Sequence, residues 1–198
     1  MGDTIVSGIG QGFIQVTPLQ LATYVARVAT GRAVQPHVTR SVAGVAQPGA
    51  DPLDWPLLGL TDRWLALVRD GMWAVVNEGG GTGAAARCPG IEISGKTGTA
   101  QVVSQTLQQS AKSSEYKNTA WFVGYAPREK PEIAVAALVQ RGEHSYVAVP
   151  IVRDVIKAYF DKKLGSKPPE NQMEAAAKVL SQLQPTPLPR PSRPASRQ

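Results

Sequence analysis

The chain has 198 residues, 42% of them hydrophobic, enough for one globular domain of ordinary size and too few to make a second one expected. Its net charge of +6 is uneven: Asp161 to Gln198 holds seven Lys and Arg against three Asp and Glu, and residues 1–160 are nearly balanced. The body has no zinc-ligand spacing and no basic stripe interleaved with aromatics, which argues against nucleic-acid binding, and its single Cys88 excludes an internal disulfide.

In chain order, Met1-Gly2-Asp3-Thr4 opens acidic and runs into glycine-spaced sequence, which is not the pattern of a signal peptide. No stretch approaches the roughly 18 apolar residues of a membrane span. Residues 1–16 are expected to form a loop or a short extended piece. Thr17-Pro18 then pairs a capping threonine with proline at the first helical position. Leu19, Leu21, Ala22, Val25, Ala26 and Val28 suit a buried helical face, and Gly31 ends it. Val34 to Val45 reads as extended with turns, and the proline-containing stretch Gln47 to Leu58 as a surface loop.

A second helix starts near Thr61. Trp64, Leu65, Leu67, Val68, Met72, Val75 and Val76 recur at helical spacing until Asn77 and Gly79-Gly80-Gly81 stop it. Gly71 costs about 1 kcal/mol inside a helix, so it is either carried or divides the segment in two. Ile91 to Ser94 alternates and leads into Gly95-Lys96-Thr97-Gly98-Thr99-Ala100-Gln101-Val102, and a polar loop follows from Ser104 to Lys117. Thr119 to Tyr125 and Ile133 to Gln140 are apolar strands whose short link, with Pro127 and Pro131, predicts an antiparallel hairpin. The second has almost no polar alternation and is expected to be covered on both faces. Val149 to Phe160 is an amphipathic helix with Val152, Val155, Ile156, Tyr159 and Phe160 on one side. Trp55, Trp64, Trp73 and Trp121 are expected in the core or on a cleft wall. The order helix, helix, three strands, helix predicts an α+β domain of antiparallel strands packed with helices over residues 1–160. Residues 161–198 are expected to be a basic, proline-rich, disordered tail with a short helical piece near Met173–Leu180; contact of that tail with an anionic surface stays open.

The run Ser94-Gly95-Lys96-Thr97-Gly98-Thr99-Ala100-Gln101 contains the K-T-G element of penicillin-binding proteins and serine β-lactamases. Three residues alone carry little, but three flanking segments agree and stand in the right order. Gly10-Gln11-Gly12 with Thr17-Pro18-Leu19-Gln20-Leu21-Ala22 resembles the segment entering a helix of class B penicillin-binding proteins. Ala120-Trp121-Phe122-Val123-Gly124-Tyr125-Ala126-Pro127 resembles the next strand, and Val149-Pro150-Ile151 the last helix. The resemblance covers roughly residues 8–160, points to the elongation-type enzymes ahead of the division type, and implies an incomplete penicillin-binding or serine β-lactamase-like transpeptidase fold.

A lysine beside a hydroxyl residue on an edge strand offers charge-assisted hydrogen bonds to a carboxylate, and Gly98 lets a ligand backbone lie close. By resemblance, Lys96 and Thr97 contact the carboxylate of a peptide or β-lactam. Thr99 would supply a backbone N–H to an oxyanion hole and pair with the peptide in β fashion. The family uses a serine nucleophile with a lysine three residues on, and a Ser-x-Asn element, both ahead of K-T-G. Here only Ser7, Ser41 and Ser94 precede Lys96, and none fits either pattern. The sole Ser-x-x-Lys, Ser114-Glu115-Tyr116-Lys117, lies after the strand in a polar loop and reads as coincidence. No catalytic residue is therefore assigned, and the chain is expected to be a fragment that is inactive alone. With part of its packing absent it is expected to fold poorly.

An intact relative would carry a membrane anchor in the bacterial inner membrane, a pedestal region and a periplasmic catalytic domain. Its implied substrate is the peptidoglycan stem peptide, with β-lactams as inhibitors, and its partners are the glycosyltransferase and scaffold proteins of the elongation complex. No metal or organic cofactor is implied. The rival readings are a non-catalytic module that binds peptide or β-lactam carboxylates, and a degenerate fragment without function. Thr119 stands where relatives often have histidine, a change expected to adjust loop packing. His37 is expected in a structural or surface role, and no second ligand-like residue at useful spacing makes His144 a metal site.

Overall fold

The structure is a computed structural model that describes residues 5, 7, 8, 10, 11, 15–49, 54–101 and 117–165. Its elements are helix α1 (Pro18–Thr30), a short hairpin of β1 (Ser41–Val42) and β2 (Val45–Ala46), helix α2 (Asp62–Asn77), strands β3 (Ser94–Ala100), β4 (Thr119–Ala126) and β5 (Ile133–Val139), and helix α3 (Val149–Lys163). Single 3-10 turns at Ala84–Ala86 and Ser145–Val147 precede β3 and α3. The chain divides into units Met1–Phe160 and Asp161–Gln198. Of the second, only Asp161–Gly165 falls among the described residues, so the expected helical piece near Met173 lies outside them.

α1 forms where its end signals place it. Thr17 accepts the Gln20 N–H at 3.2 Å while the Gln20 side chain accepts the Thr17 N–H at 2.9 Å, a reciprocal cap. Gly31, left-handed at φ 71°, closes the other end. α2 runs unbroken through Gly71, where an added Cβ would meet no atom within 4 Å. Nothing packs at that position, so the helix bears only the propensity cost of glycine. Its final carbonyls are satisfied from outside: Arg87 donates to Val76 O at 2.8 Å and to Glu78 O at 2.7 Å. The Asn77 amide donates to Ile93 O at 2.9 Å and so ties the end of α2 to the strand that follows.

The sheet order is β3-β4-β5, antiparallel throughout, with Lys96 opposite Val123 and Val123 opposite Ala136. β4 is central, and alternate residues feed two separate cores. Ala120, Phe122 and Ala126 pack with Val76, Ile93, Val149, Val152 and Ile156. Val123 and Tyr125 face the other way, onto Val25, Val28 and Ala29 of α1 and Met72 of α2. β5 joins both: Ile133, Val135 and Val139 reach the first core and Ala134 and Ala136 the second. Only Ala137 is buried, however, and Leu138 lines a cavity on the second face, so the full cover its sequence predicts is met only in part.

The helices bury narrower faces than their periodicity predicts. Leu19 on α1 and Trp64, Leu67 and Val68 on α2 are exposed, as are Val155 and Tyr159 on α3. Each helix buries only three residues, and the apolar residues beside them stay largely open even where they touch a neighbour, as Tyr159 touches Phe160 at 5.1 Å between ring centres. Trp64, expected in the core or cleft, stands 62% exposed. Trp73 is half-buried beneath the Arg128 guanidinium, 4.9 Å from its ring centre.

Candidate carboxylate and peptide site

β3 borders β4 on one side only, so its second edge faces outward. Its sequence SGKTGTA includes two glycines, and Gly95 has a steric reason: a Cβ there would lie 2.5 Å from Phe122 Cζ and 2.7 Å from Val123 O. The Phe122 ring therefore covers the backbone of residue 95 and anchors the start of the strand. A Cβ on Gly98 would come 3.3 Å from Trp121 Cβ, tight but not a collision.

The strand carries its polar residues to a cavity of about 790 Å³. Cross-strand pairing sets the floor, with Gly98, Trp121 and Leu138 in one row and Lys96 and Val123 in the next. Gly10, Gln11, Gln15, Val16 and Leu21 close it from the chain entering α1, and Thr119, opposite Ala100, lies at its far end. Lys96 is the one charged residue among the described residues that line this space. The cavity thus has a positive character suited to an anion.

Adjacent strand residues leave opposite faces, so the side chains of Lys96 and Thr97 diverge while both reach the cavity. Lys96 is exposed and its Nζ donates to Thr97 O at 2.9 Å. Thr97 Oγ1 lies 2.8 Å from Thr82 Oγ1. Thr82 comes from the glycine-rich turn after α2, which folds back so closely that a Cβ on Gly81 would sit 2.3 Å from Val75 O. Thr82 was not foreseen; the turn is visible in the sequence, but its partner is not.

The outward backbone of β3 is met by side chains. Ile93 O accepts from Asn77, Thr97 O from Lys96, and Thr99 O from Gln11 Nε2 at 3.0 Å. Gln11 Oε1 also accepts the Gln101 N–H at 3.4 Å. Since N–H and C=O of one strand residue point to the same side, the Thr99 N–H points outward too, toward the edge where an oxyanion donor is expected.

Behind the site, Ser94 and Tyr125 face each other across β3 and β4, both fully buried and without a well-formed hydrogen bond. Burial pushes the Tyr125 phenol pKa up, and the nearby Ser94 hydroxyl and the Arg69 and Arg128 guanidiniums pull it partly back. Of the Ser-x-x-Lys run, Ser114 lies outside the described residues, while Lys117 forms an exposed ion pair with Glu143 at 3.0 Å. The Lys117 ammonium, bonded to that carboxylate, holds the Glu143 pKa below its usual value. His37 packs edge-on against Trp55 at 6.1 Å and His144 stacks on Tyr146 at 5.7 Å, both at the surface. Among the described residues no group of three His, Cys, Asp or Glu comes together as a metal site, and no helix is long and apolar enough to cross a membrane.

An antiparallel sheet between α1 and α3, with Lys-Thr-Gly on its edge strand beside a cavity, defines a recognisable class. The family model of the penicillin binding protein transpeptidase domain matches residues 1–157, and the chain belongs to that family. Among curated relatives, the peptidoglycan D,D-transpeptidase MrdA of Haemophilus influenzae is 35% identical over 91% of this chain. The MrdA of Acinetobacter baumannii is 34% identical over 95%. The chain spans 29% of the length of each. Among solved structures, Pseudomonas aeruginosa PBP2 in complex with WCK 5153 superposes with a TM-score of 0.65 at 36% identity, covering 80% of this chain and 33% of that one. PBP2 of Helicobacter pylori in complex with MreC gives a TM-score of 0.62 at 32% identity, covering 80% and 27%.

Proposed function

We propose that residues 1–160 form the carboxylate- and peptide-binding wall of a peptidoglycan D,D-transpeptidase, and that residues 161–198 are a basic tail outside it. The observation that carries this reading is the cavity of about 790 Å³ whose described lining has Lys96 as its only charge and the outward edge of β3 along one side. In this reading the Lys96 ammonium leaves Thr97 O to bind the terminal carboxylate of a stem peptide or β-lactam, assisted by the Thr97 hydroxyl. Gly98 allows the ligand backbone to approach. The Thr99 N–H polarises the carbonyl under attack and stabilises the oxyanion that forms.

The reaction is serine acyl transfer in two steps. A serine oxygen adds to the penultimate carbonyl and expels the terminal residue as an amine. An acceptor amine then attacks the ester and releases the serine. The chain has no serine with a lysine three residues on ahead of Lys96, so the nucleophile has to come from polypeptide outside these 198 residues. An inner-membrane anchor, a periplasmic site, and partnership with the glycosyltransferase and scaffold proteins of the elongation complex belong to the same proposal. The pairing of a similar PBP2 with MreC supports the scaffold part. The missing serine elements also favour a second reading, a non-catalytic module that binds carboxylate-ended peptides through the same wall.

Both readings are tested by mixing the 198-residue chain with a fluorescent penicillin and following anisotropy together with intact mass. The expected result is reversible binding, competed by a peptide ending in two D-residues, with no mass increase. A stoichiometric adduct would contradict the assignment of the nucleophile to another polypeptide, and absence of any binding would contradict both readings. Restored acylation on adding the serine-bearing part of a relative separates the enzyme from the module.

A further inference from the structure

β3 is offered as a surface for an extended ligand, yet part of its outward edge is already engaged by the chain itself. Gln11 stands 88 residues before Thr99 and its side-chain amide meets the strand as a peptide unit would. Nε2 donates to Thr99 O at 3.0 Å and Oε1 accepts the Gln101 N–H at 3.4 Å. A carboxamide carries the same donor and acceptor pair as the backbone, and these two groups are the ones that a partner strand running past Thr99 needs. The segment is shaped for this contact. Gly10 is left-handed at φ 74° in a turn closed by its N–H to Ser7 O at 3.0 Å. Both Gly10 and Gln11 line the cavity, and Gln11 is half-buried there.

We infer that Gln11 is a specificity-determining residue of the site, competing with an extended ligand for Thr99 C=O and Gln101 N–H and so discriminating by how far the ligand runs along β3. This rests on the reading of the β3 edge as a peptide-binding wall. A short ligand held at Lys96 and Thr97, one strand step of about 3.3 Å apart, leaves Gln11 in place. A longer one that reaches Thr99 C=O displaces it and loses the affinity that the displaced contact represents. Two features distinguish this role from plain structural support. The Gln11 contacts are to backbone groups, so they read no ligand side chain. Their effect is confined to ligands of a certain length.

The test uses the full chain and the variants Gln11→Ala and Gln11→Glu. The ligands are peptides ending in a free D-residue carboxylate and lengthened one residue at a time. Gln11→Ala is expected to leave the shortest ligands unchanged and to raise affinity roughly two- to tenfold, the value of about one hydrogen bond, for those that reach Thr99. Gln11→Glu keeps an acceptor for the Gln101 N–H but cannot donate to Thr99 C=O. It is therefore expected to keep the Gln101 amide protected from hydrogen exchange. Gln11→Ala is expected to lose that protection. The added negative charge of Gln11→Glu in the cavity of Lys96 is expected to weaken carboxylate-ended ligands of every length, so length dependence is read from Gln11→Ala alone. In Gln11→Ala, equal changes at all lengths, or a loss for the long ligands, would overturn the inference and leave the peptide-binding reading standing. Unchanged Gln101 exchange in Gln11→Ala would overturn it regardless of the ligands. Failure of every peptide to bind any form would overturn both.

Discussion

β3 and β5 flank the same central strand and differ in almost everything else. β5, IAVAALV, has no polar side chain, and its residues pack alternately toward α3 and toward α1. β3, SGKTGTA, has an exposed lysine, two threonines and two glycines, and side chains instead of a strand meet its outer edge. The apolar side chains of β5 contribute to both cores, and in the proposed reading the outer edge of β3 is the one that receives a ligand. In that reading the difference teaches that apolar packing and recognition are weighted differently on strands about one ladder spacing either side of β4. Substitutions on the two sides are therefore expected to separate folding from binding.

The core under β4, which both edge strands border, is where the largest stability effects are expected. Phe122 is fully buried in the core under α3 and stacks over residue 95. Phe122→Ala is expected to cost about 3–5 kcal/mol in denaturant unfolding, and a cost near 1 kcal/mol would break the division proposed. Gly95→Ala comes next, at the buried start of β3, where that strand too enters the core. It puts a methyl 2.5 Å from Phe122 Cζ and 2.7 Å from a backbone oxygen, and the overpacking is expected to cost about 1–3 kcal/mol.

At the junction of the two sides, Tyr125 ties stability to pH. Its folded pKa is raised above the ordinary 10.0, chiefly by burial. The native state therefore holds the phenol proton more tightly than the unfolded chain. That contribution is complete below pH 10.0 and is lost as pH rises through the folded value. Relative to Tyr125→Phe, the parent chain is expected to lose stability with pH above that point and to run parallel to it below. The smallest effect belongs to the open edge. Lys96→Ala is expected to change unfolding free energy by no more than about 0.5 kcal/mol, because the side chain is exposed and bonds only to its neighbour's carbonyl.

Much of this arrangement is legible along the chain because the signals are local. Thr17-Pro18 with Gln20 three residues after the cap, and Gly31 at the end, mark α1 through bonds no longer than one helical turn. The apolar strands joined by Pro127 and Pro131 mark the hairpin of β4 and β5. Helix faces are legible only in part. Periodicity reports that Leu19, Trp64 and Val155 lie beside buried rows, but which of them meets a neighbour depends on distant packing, and here all three are exposed. The site divides in the same way. The K-T-G motif names Lys96, Thr97, Gly98 and Thr99 as one short run. Their partners Thr82 and Gln11 lie 15 and 88 positions away, and no local pattern joins them.

The claim at the centre is that the outer edge of β3 binds the carboxylate end of a peptide. It is tested most directly by amide- and lysine-resolved NMR of the 198-residue chain, titrated with one peptide in its free-acid and amidated forms. The account predicts saturable shifts at the Lys96 ammonium and at the Thr97 and Thr99 amides with the free acid. Affinity should fall roughly 10- to 100-fold on amidation or in Lys96→Ala, the value of a charge-assisted hydrogen bond. Equal affinity for the two forms, or shifts confined to residues away from β3, would contradict it.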